Sequence, residues 1–340
     1  MKKTIILCIV ILLTTALLLG LLQAVLMPKY MTDFREGALV GEYYSFAGGN
    51  DVLFVGDCEI YESFTPPTLW EEYGITSYLR GSAQQLIWQS YYLLEEMLEK
   101  EAPRVVVYNV YAMKYGSPQD EAANRKTLDG MQWSASKLAA IKASMTEDES
   151  FLSYVFPILR FHSRWNQLGT EDFTYLFSRD TVSHGGYLMQ TTVDPKPEGD
   201  ILAPALSDYE LPAICFEYLE KMRLLCEEKG CRLILIKAPT NTRGYYWYDE
   251  WDAQIVEYAS QTGLDYYNFI PLCEEIGIDW SLDTYDKGYH LNVYGAEKLS
   301  SYFGKILSEV YEIPDRRNDA ETANDWNERL LRYKEERNGK

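Results

Sequence analysis

The longest apolar run comes first. From Thr4 to Met27 the chain reads TIILCIVILLTTALLLGLLQAVLM, 24 residues without a charge. As a helix rising ~1.5 Å per residue it covers ~36 Å, enough for a hydrocarbon core of ~30 Å. A cleaved signal peptide has an apolar core of about 7–15 residues followed by a small-x-small site. Here the core is longer and the exit reads Gln23-Ala24-Val25-Leu26-Met27-Pro28. The pattern predicts an uncleaved signal anchor over 1–30 and a linker over 31–50. Lys2 and Lys3 before the span are balanced by Lys29 and Arg35 after it, so the basic count alone sets no orientation. The short stub has the form of a signal-peptide n-region. It puts the N-terminus in the cytoplasm and the body outside, tethered by a single pass through the cell membrane.

Beyond the anchor, short apolar runs alternate with helical periods. Asp51-Val-Leu-Phe-Val-Gly56 is continuous and ends at glycine, the pattern of a strand buried on both faces. Ile75 to Arg80 alternates and ends at Gly81. Ala83 to Lys100 reads as a helix, with Leu86, Tyr91, Leu94 and Leu98 at helical spacing. Arg104 to Val110 is a third strand. From 111 to 210 the alternation lapses into a segment rich in Ser, Asp, Trp and Tyr. It returns with helix 211–229, strand 231–236, helix 251–261, strand 264–269 and a final helix 296–311. This order predicts an α/β fold with a parallel sheet covered by helices on both faces. The domain spans 51–312 with insertion 111–210, and a charged tail occupies 313–340. In that tail Trp326, Leu330 and Tyr333 share one helical face and are expected to dock on the body or on a partner.

Charge narrows the function classes. With 32 Lys plus Arg against 51 Asp plus Glu, the net charge of −19 opposes a nucleic-acid partner. The three histidines His162, His184 and His290 are not at ligand spacing, and HExxH, CxxC and EF-hand patterns are absent, so no metal is expected. Neither glycine-rich nucleotide motif occurs, and no cofactor is expected. Of six cysteines, Cys8 lies in the anchor, while Cys226 and Cys231 flank a glycine turn as either a disulfide or two small buried residues.

Ligands of such sheets bind beyond the carboxyl ends of the strands. Those ends carry Gly56-Asp57-Cys58, Gly81 and Asn109, and Asp283-Thr-Tyr-Asp286-Lys-Gly-Tyr-His290 precedes the last helix. Together they resemble the SGNH (GDSL-like) hydrolase superfamily over roughly residues 51 to 311. That resemblance implies a three-layer, flavodoxin-like sheet and a nucleophile at the position of Cys58, where the family carries serine. It further implies an oxyanion hole from the backbone N–H groups of Cys58 and Gly81 and the Asn109 amide, with His290 as base. Asp286 stands four residues before His290, where the family has three, which leaves Asp283 as an alternative orienter. The usual Gly-x-Asn-Asp around Asn109 is absent.

The anchor, Phe64-Thr-Pro66 and the long insertion look like the membrane-tethered SGNH proteins that modify cell-envelope polymers beside a multi-pass membrane acyltransferase. The implied function is an acyl-ester hydrolase or O-acyltransferase on a cell-envelope glycan or polymer. The alternative is a catalytically inactive tethered subunit that binds polymer or docks the acyltransferase. A thiol redox role for Cys58 is weaker, because no resolving cysteine lies nearby in sequence. His162, Arg164 and His184, in the insertion, read as structural hydrogen-bonding residues or as substrate or partner contacts. Trp247 and Trp251, with Tyr245, Tyr246 and Tyr248, read as an aromatic platform for sugar rings or as a packed surface loop.

Overall fold

Val52–Gly56 (β1) is buried at every position, and its side chains divide between two cores. Leu53 and Val55 point into one, Val52 and Phe54 into the other, as period-two alternation requires. The computed structural model describes residues 2–28, 36–46, 48–179, 181–195, 205–241 and 247–339. Around β1 it has the N-terminal helix Lys2–Leu26 (α1), helices Cys58–Ser63 (α2) and Pro66–Tyr73 (α3), strand Ser77–Gly81 (β2) and helix Ile87–Leu98 (α4). Next come strand Val105–Asn109 (β3), helix Ala213–Lys229 (α5), strand Arg232–Lys237 (β4), helix Asp249–Thr262 (α6) and strand Asp265–Asn268 (β5). Helices Val293–Glu309 (α7) and Ala320–Arg337 (α8) complete the chain.

The five strands are all parallel in the order β2-β1-β3-β4-β5. Helices α4, α5 and α6 bury Leu94, Met222 and Ile255 against one face. On the other, Leu69 of α3 and Leu299, Phe303 and Leu307 of α7 pack with Phe54 and Val107. The chain leaves β1 toward one sheet edge and builds outward on the opposite side from β3. The crevice at the carboxyl end of β1 is therefore the topological switch point, where such sheets take their ligands.

Local details differ from the periodicity. Helix α4 begins at Ile87 instead of Ala83, because Gln84 takes a left-handed φ of 61° in the turn before it. The Gln89 side chain then accepts the Leu86 N–H. Cys226 and Cys231 are both buried free thiols. Residues 313–339 carry α8, whose Trp326 stacks on Trp70 with centroids 5.6 Å apart, so the helical face of the charged tail docks on the body. Helix α1 is long and apolar enough to cross a membrane and is exposed along its length except near Val25 and Leu26. There it meets short helices of the insertion, Ile158–Phe161, His162–Asn166 and Thr170–Thr174.

Candidate active site

Cys58 is the first residue of α2, directly after β1. Asp57 caps that helix, its side chain accepting the Glu59 N–H at 3.2 Å. The cap turns the chain sharply from strand to helix and leaves the half-buried Cys58 at the crevice. Gly81, at the end of β2, lies against this turn. A Cβ there would come within 2.8 Å of the Gly56 carbonyl oxygen and 3.1 Å of that of Asp57. Only glycine permits that approach.

From the opposite side, the loop before α7 delivers His290. Its Nε2 lies 3.3 Å from Cys58 Sγ, and its Nδ1 lies 2.6 Å from Asp286 Oδ2. Asp286 Oδ1 also accepts the His290 backbone N–H at 2.8 Å, fixing carboxylate and ring together. Between them the chain turns through two consecutive left-handed residues, Lys287 at φ 67° and Gly288 at φ 90°. Asp283 is not beside His290. It is buried, accepts the Asp279 N–H at 2.7 Å and pairs with Lys298 at 2.6 Å, so it holds the loop to α7. That corrects the alternative orienter.

A second carboxylate, not foreseen as a histidine partner, flanks the ring. Glu62 Oε2 lies 3.4 Å from His290 Nδ1, and Glu62 Oε1 accepts the Tyr285 hydroxyl at 2.8 Å. Tyr285 in turn stacks on the imidazole at 6.1 Å. The spacing Cys58-x-x-x-Glu62 puts both side chains on one face of α2 and was the available signal. Burial lowers the His290 pKa, but the Glu62 charge, Cys58 and the Asp286 bond outweigh it and hold the imidazole well above its ordinary value. Burial pushes the Cys58 thiol up to about 11, with His290 acting the other way.

Behind the cysteine lies a buried polar network. Lys237, fully buried on β4, donates to both Glu59 oxygens at 2.8 Å and to the Ala238 carbonyl at 2.7 Å. Asn109 donates its amide to Glu59 at 2.9 Å and Asp57 at 3.1 Å, and accepts the Ala238 N–H at 3.2 Å. Both amide hydrogens are thus directed at carboxylates, so Asn109 does not offer the expected oxyanion donor. Burial, and next to it the Glu59 charge, raise the Asp57 pKa.

The remaining residues singled out from sequence are not brought to this site. His162 is exposed, with Nδ1 3.3 Å from the Leu159 carbonyl. Arg164 donates to the Leu26 carbonyl at 2.6 Å and to Asp172 at 3.1 Å. His184 is buried and pairs with Glu336 at 2.8 Å, tying α8 to the body. Trp247 is also buried, its Nε1 donating to Asp252 at 3.1 Å, and Tyr248 packs edge-on against Trp251. Arg164, His184 and Trp247 are thus engaged in contacts within the protein, away from Cys58; Tyr245 and Tyr246 lie outside the described residues. The insertion does reach the crevice through Leu188, which clusters with Leu39 and Tyr61 beside Cys58. A separate cavity of about 350 Å³, lined in part by Met27, Glu42, Arg179 and Arg332, lies where α1 meets the body and does not include Cys58. Among the described residues no cluster of three or more His, Cys, Asp or Glu is placed to hold a metal.

No family model and no curated protein matches the chain. Among solved structures it is similar to a Bacteroides fragilis protein assigned as an acylhydrolase, with 11% identity and a TM-score of 0.39 over 84% of this chain and 100% of that one. It is also similar to a GDSL-like lipase from Bacteroides thetaiotaomicron, with 12% identity and a TM-score of 0.37 over 82% of this chain and 98% of that one.

Proposed function

We propose that the chain is a membrane-tethered acyl-ester hydrolase or O-acyltransferase of the SGNH type, with Cys58 as nucleophile, His290 as base and Asp286 as its orienter. The observation that carries this reading is the continuous contact from Cys58 Sγ to His290 to Asp286 at the sheet's switch point. In the reaction, His290 Nε2 takes the thiol proton as sulfur attacks the ester carbonyl, and the carbonyl electrons move onto oxygen. Collapse of that oxyanion breaks the C–O bond, the alcohol leaves with the proton from His290, and a thioester remains on Cys58. Water or a sugar hydroxyl then attacks the thioester, passing its proton through His290 and restoring the thiol. The backbone N–H groups of Cys58 and Gly81 are the assigned oxyanion donors.

The apolar α1 supports tethering, and the short Lys2-Lys3 stub, read as a signal-peptide n-region, puts the body outside the cell in this reading. With the sequence resemblance, it favours a cell-envelope glycan or polymer as acceptor and a multi-pass membrane acyltransferase as partner. The inactive, polymer-binding reading is favoured by the raised thiol and by the engaged Asn109 amide. Hydrolysis of p-nitrophenyl acetate by the full-length protein in detergent separates the two. The enzyme reading expects turnover that Cys58→Ala abolishes, while an unreactive wild-type protein supports the inactive subunit.

A further inference from the structure

Among the described residues, the insertion carries a series of exposed apolar side chains on its short helices. Leu152, Phe156, Leu159, Trp165, Phe173 and Phe177 all face solvent, Trp165 at 73% and Phe177 at 91% exposure. The opposite side of the same segment is packed. Tyr154 and Phe161 are buried, with the Arg125 guanidinium 4.1 Å and 5.2 Å from their ring centroids. Scattered apolar residues are ordinary on a protein surface, but a concentration of this kind marks a contact face.

Its position identifies the contact. Val25 and Leu26, the buried end of α1, are covered by this segment, and Arg164 donates to the Leu26 carbonyl at 2.6 Å. Arg164 is itself held by Asp172, which joins the segment's two halves at the helix exit. At ~1.5 Å per residue α1 matches a bilayer core, so its last carbonyls lie at the membrane–water boundary. Trp165 follows Arg164 in sequence and is held near that depth, the level at which tryptophan and other amphipathic rings concentrate.

We infer that residues 151–177 form a foot that lies on the lipid bilayer, with Trp165, Phe173 and Phe177 entering its interfacial layer. This rests on the reading of α1 as a membrane anchor. The foot gives the body a second attachment beside α1 and restricts its tilt, which a single helix and linker would leave free. It assigns the exposed apolar side of the insertion to lipid instead of to the polymer substrate.

The chain provides its own reporter, because α1 contains no tryptophan and all eight tryptophans lie beyond it. Full-length protein is reconstituted in phosphatidylcholine–phosphatidylglycerol nanodiscs with and without brominated acyl chains, and tryptophan emission is compared. Brominated discs should quench a share of emission comparable with one tryptophan in eight, and Trp165→Phe should remove that quenching. Phe173→Ser with Phe177→Ser, both at exposed positions, should weaken it while leaving circular dichroism unchanged. Quenching that survives Trp165→Phe, or a disc-incorporated wild type without quenching, overturns the foot while the anchor stands. Failure to incorporate into discs overturns both. An unquenched Trp165 that crosslinks to a membrane protein in native membranes, through a photoreactive residue at that position, gives the face to a protein partner and also overturns the proposal.

Discussion

His290 Nε2 lies 3.3 Å from Cys58 Sγ across 232 residues of sequence. The two are carried by elements packed in a common core, where Ile60 and Phe64, from α2 and its end, meet Leu291, Leu299 and Phe303. The contact is therefore set by burial beneath it, and substitutions at either residue should alter chemistry more than folding.

The first prediction concerns pH. Thiol and imidazole are both held above their ordinary values, so the resting pair keeps both protons to higher pH than the free groups would. The attacking form has one proton fewer, and kcat/KM should rise with pH through neutrality into the alkaline range. Glu62→Gln removes a charge that favours the imidazolium, so the rising limb should move to lower pH. The sign for stability follows from linkage. The His290 contribution is fully present below about pH 6.5 and is lost as pH rises through its raised value. Thermal stability of wild type should therefore fall on the alkaline side, and less steeply in Glu62→Gln. An unmoved pH–rate profile in that variant would remove Glu62 from the pair.

A second prediction follows from the Asn109 bonds. Asn109→Ala leaves two buried carboxylates short of donors, costing about 1–3 kcal/mol of stability, measured by denaturant unfolding. An oxyanion donor would behave differently, with stability intact and ~2.7–4 kcal/mol lost from transition-state stabilisation. The structure favours the first pattern.

Lys237 gives the third. It is fully buried against Glu59, and Lys237→Met leaves that carboxylate in the interior without its counter-charge. Breaking such a pair costs about 3–5 kcal/mol. A melting temperature within a degree of wild type would mean that water or a proton replaces the ammonium.

The strands and most helices were legible because the sheet is parallel and doubly covered. Continuous apolar runs such as Val52–Val55 have few alternative readings. Cys58, Asp286 and His290 were legible because each stands at a strand end or just before a helix, where the fold collects ligands. Glu59 and Lys237 were not, since an ion pair between α2 and β4 leaves no local periodic mark. Arg164 and His184 stayed open between structural and contact roles for a related reason. Polar residues within an irregular insertion look available for ligands, and only tertiary contacts with Leu26 and Glu336 reveal their engagement.

Trapping the acyl-enzyme separates a covalent role of Cys58 from a structural one. Full-length protein is mixed with p-nitrophenyl acetate, quenched in acid and mapped by peptide mass spectrometry. One acetyl group is expected on the peptide containing Cys58, released by neutral hydroxylamine as a thioester is. It should be absent in Cys58→Ala and form much more slowly in His290→Ala. In Cys58→Ser any acetyl group should resist neutral hydroxylamine, as an oxygen ester does. Ester turnover that proceeds at the wild-type rate in Cys58→Ala, with no acetyl group on Cys58 in the wild type, would contradict the covalent role.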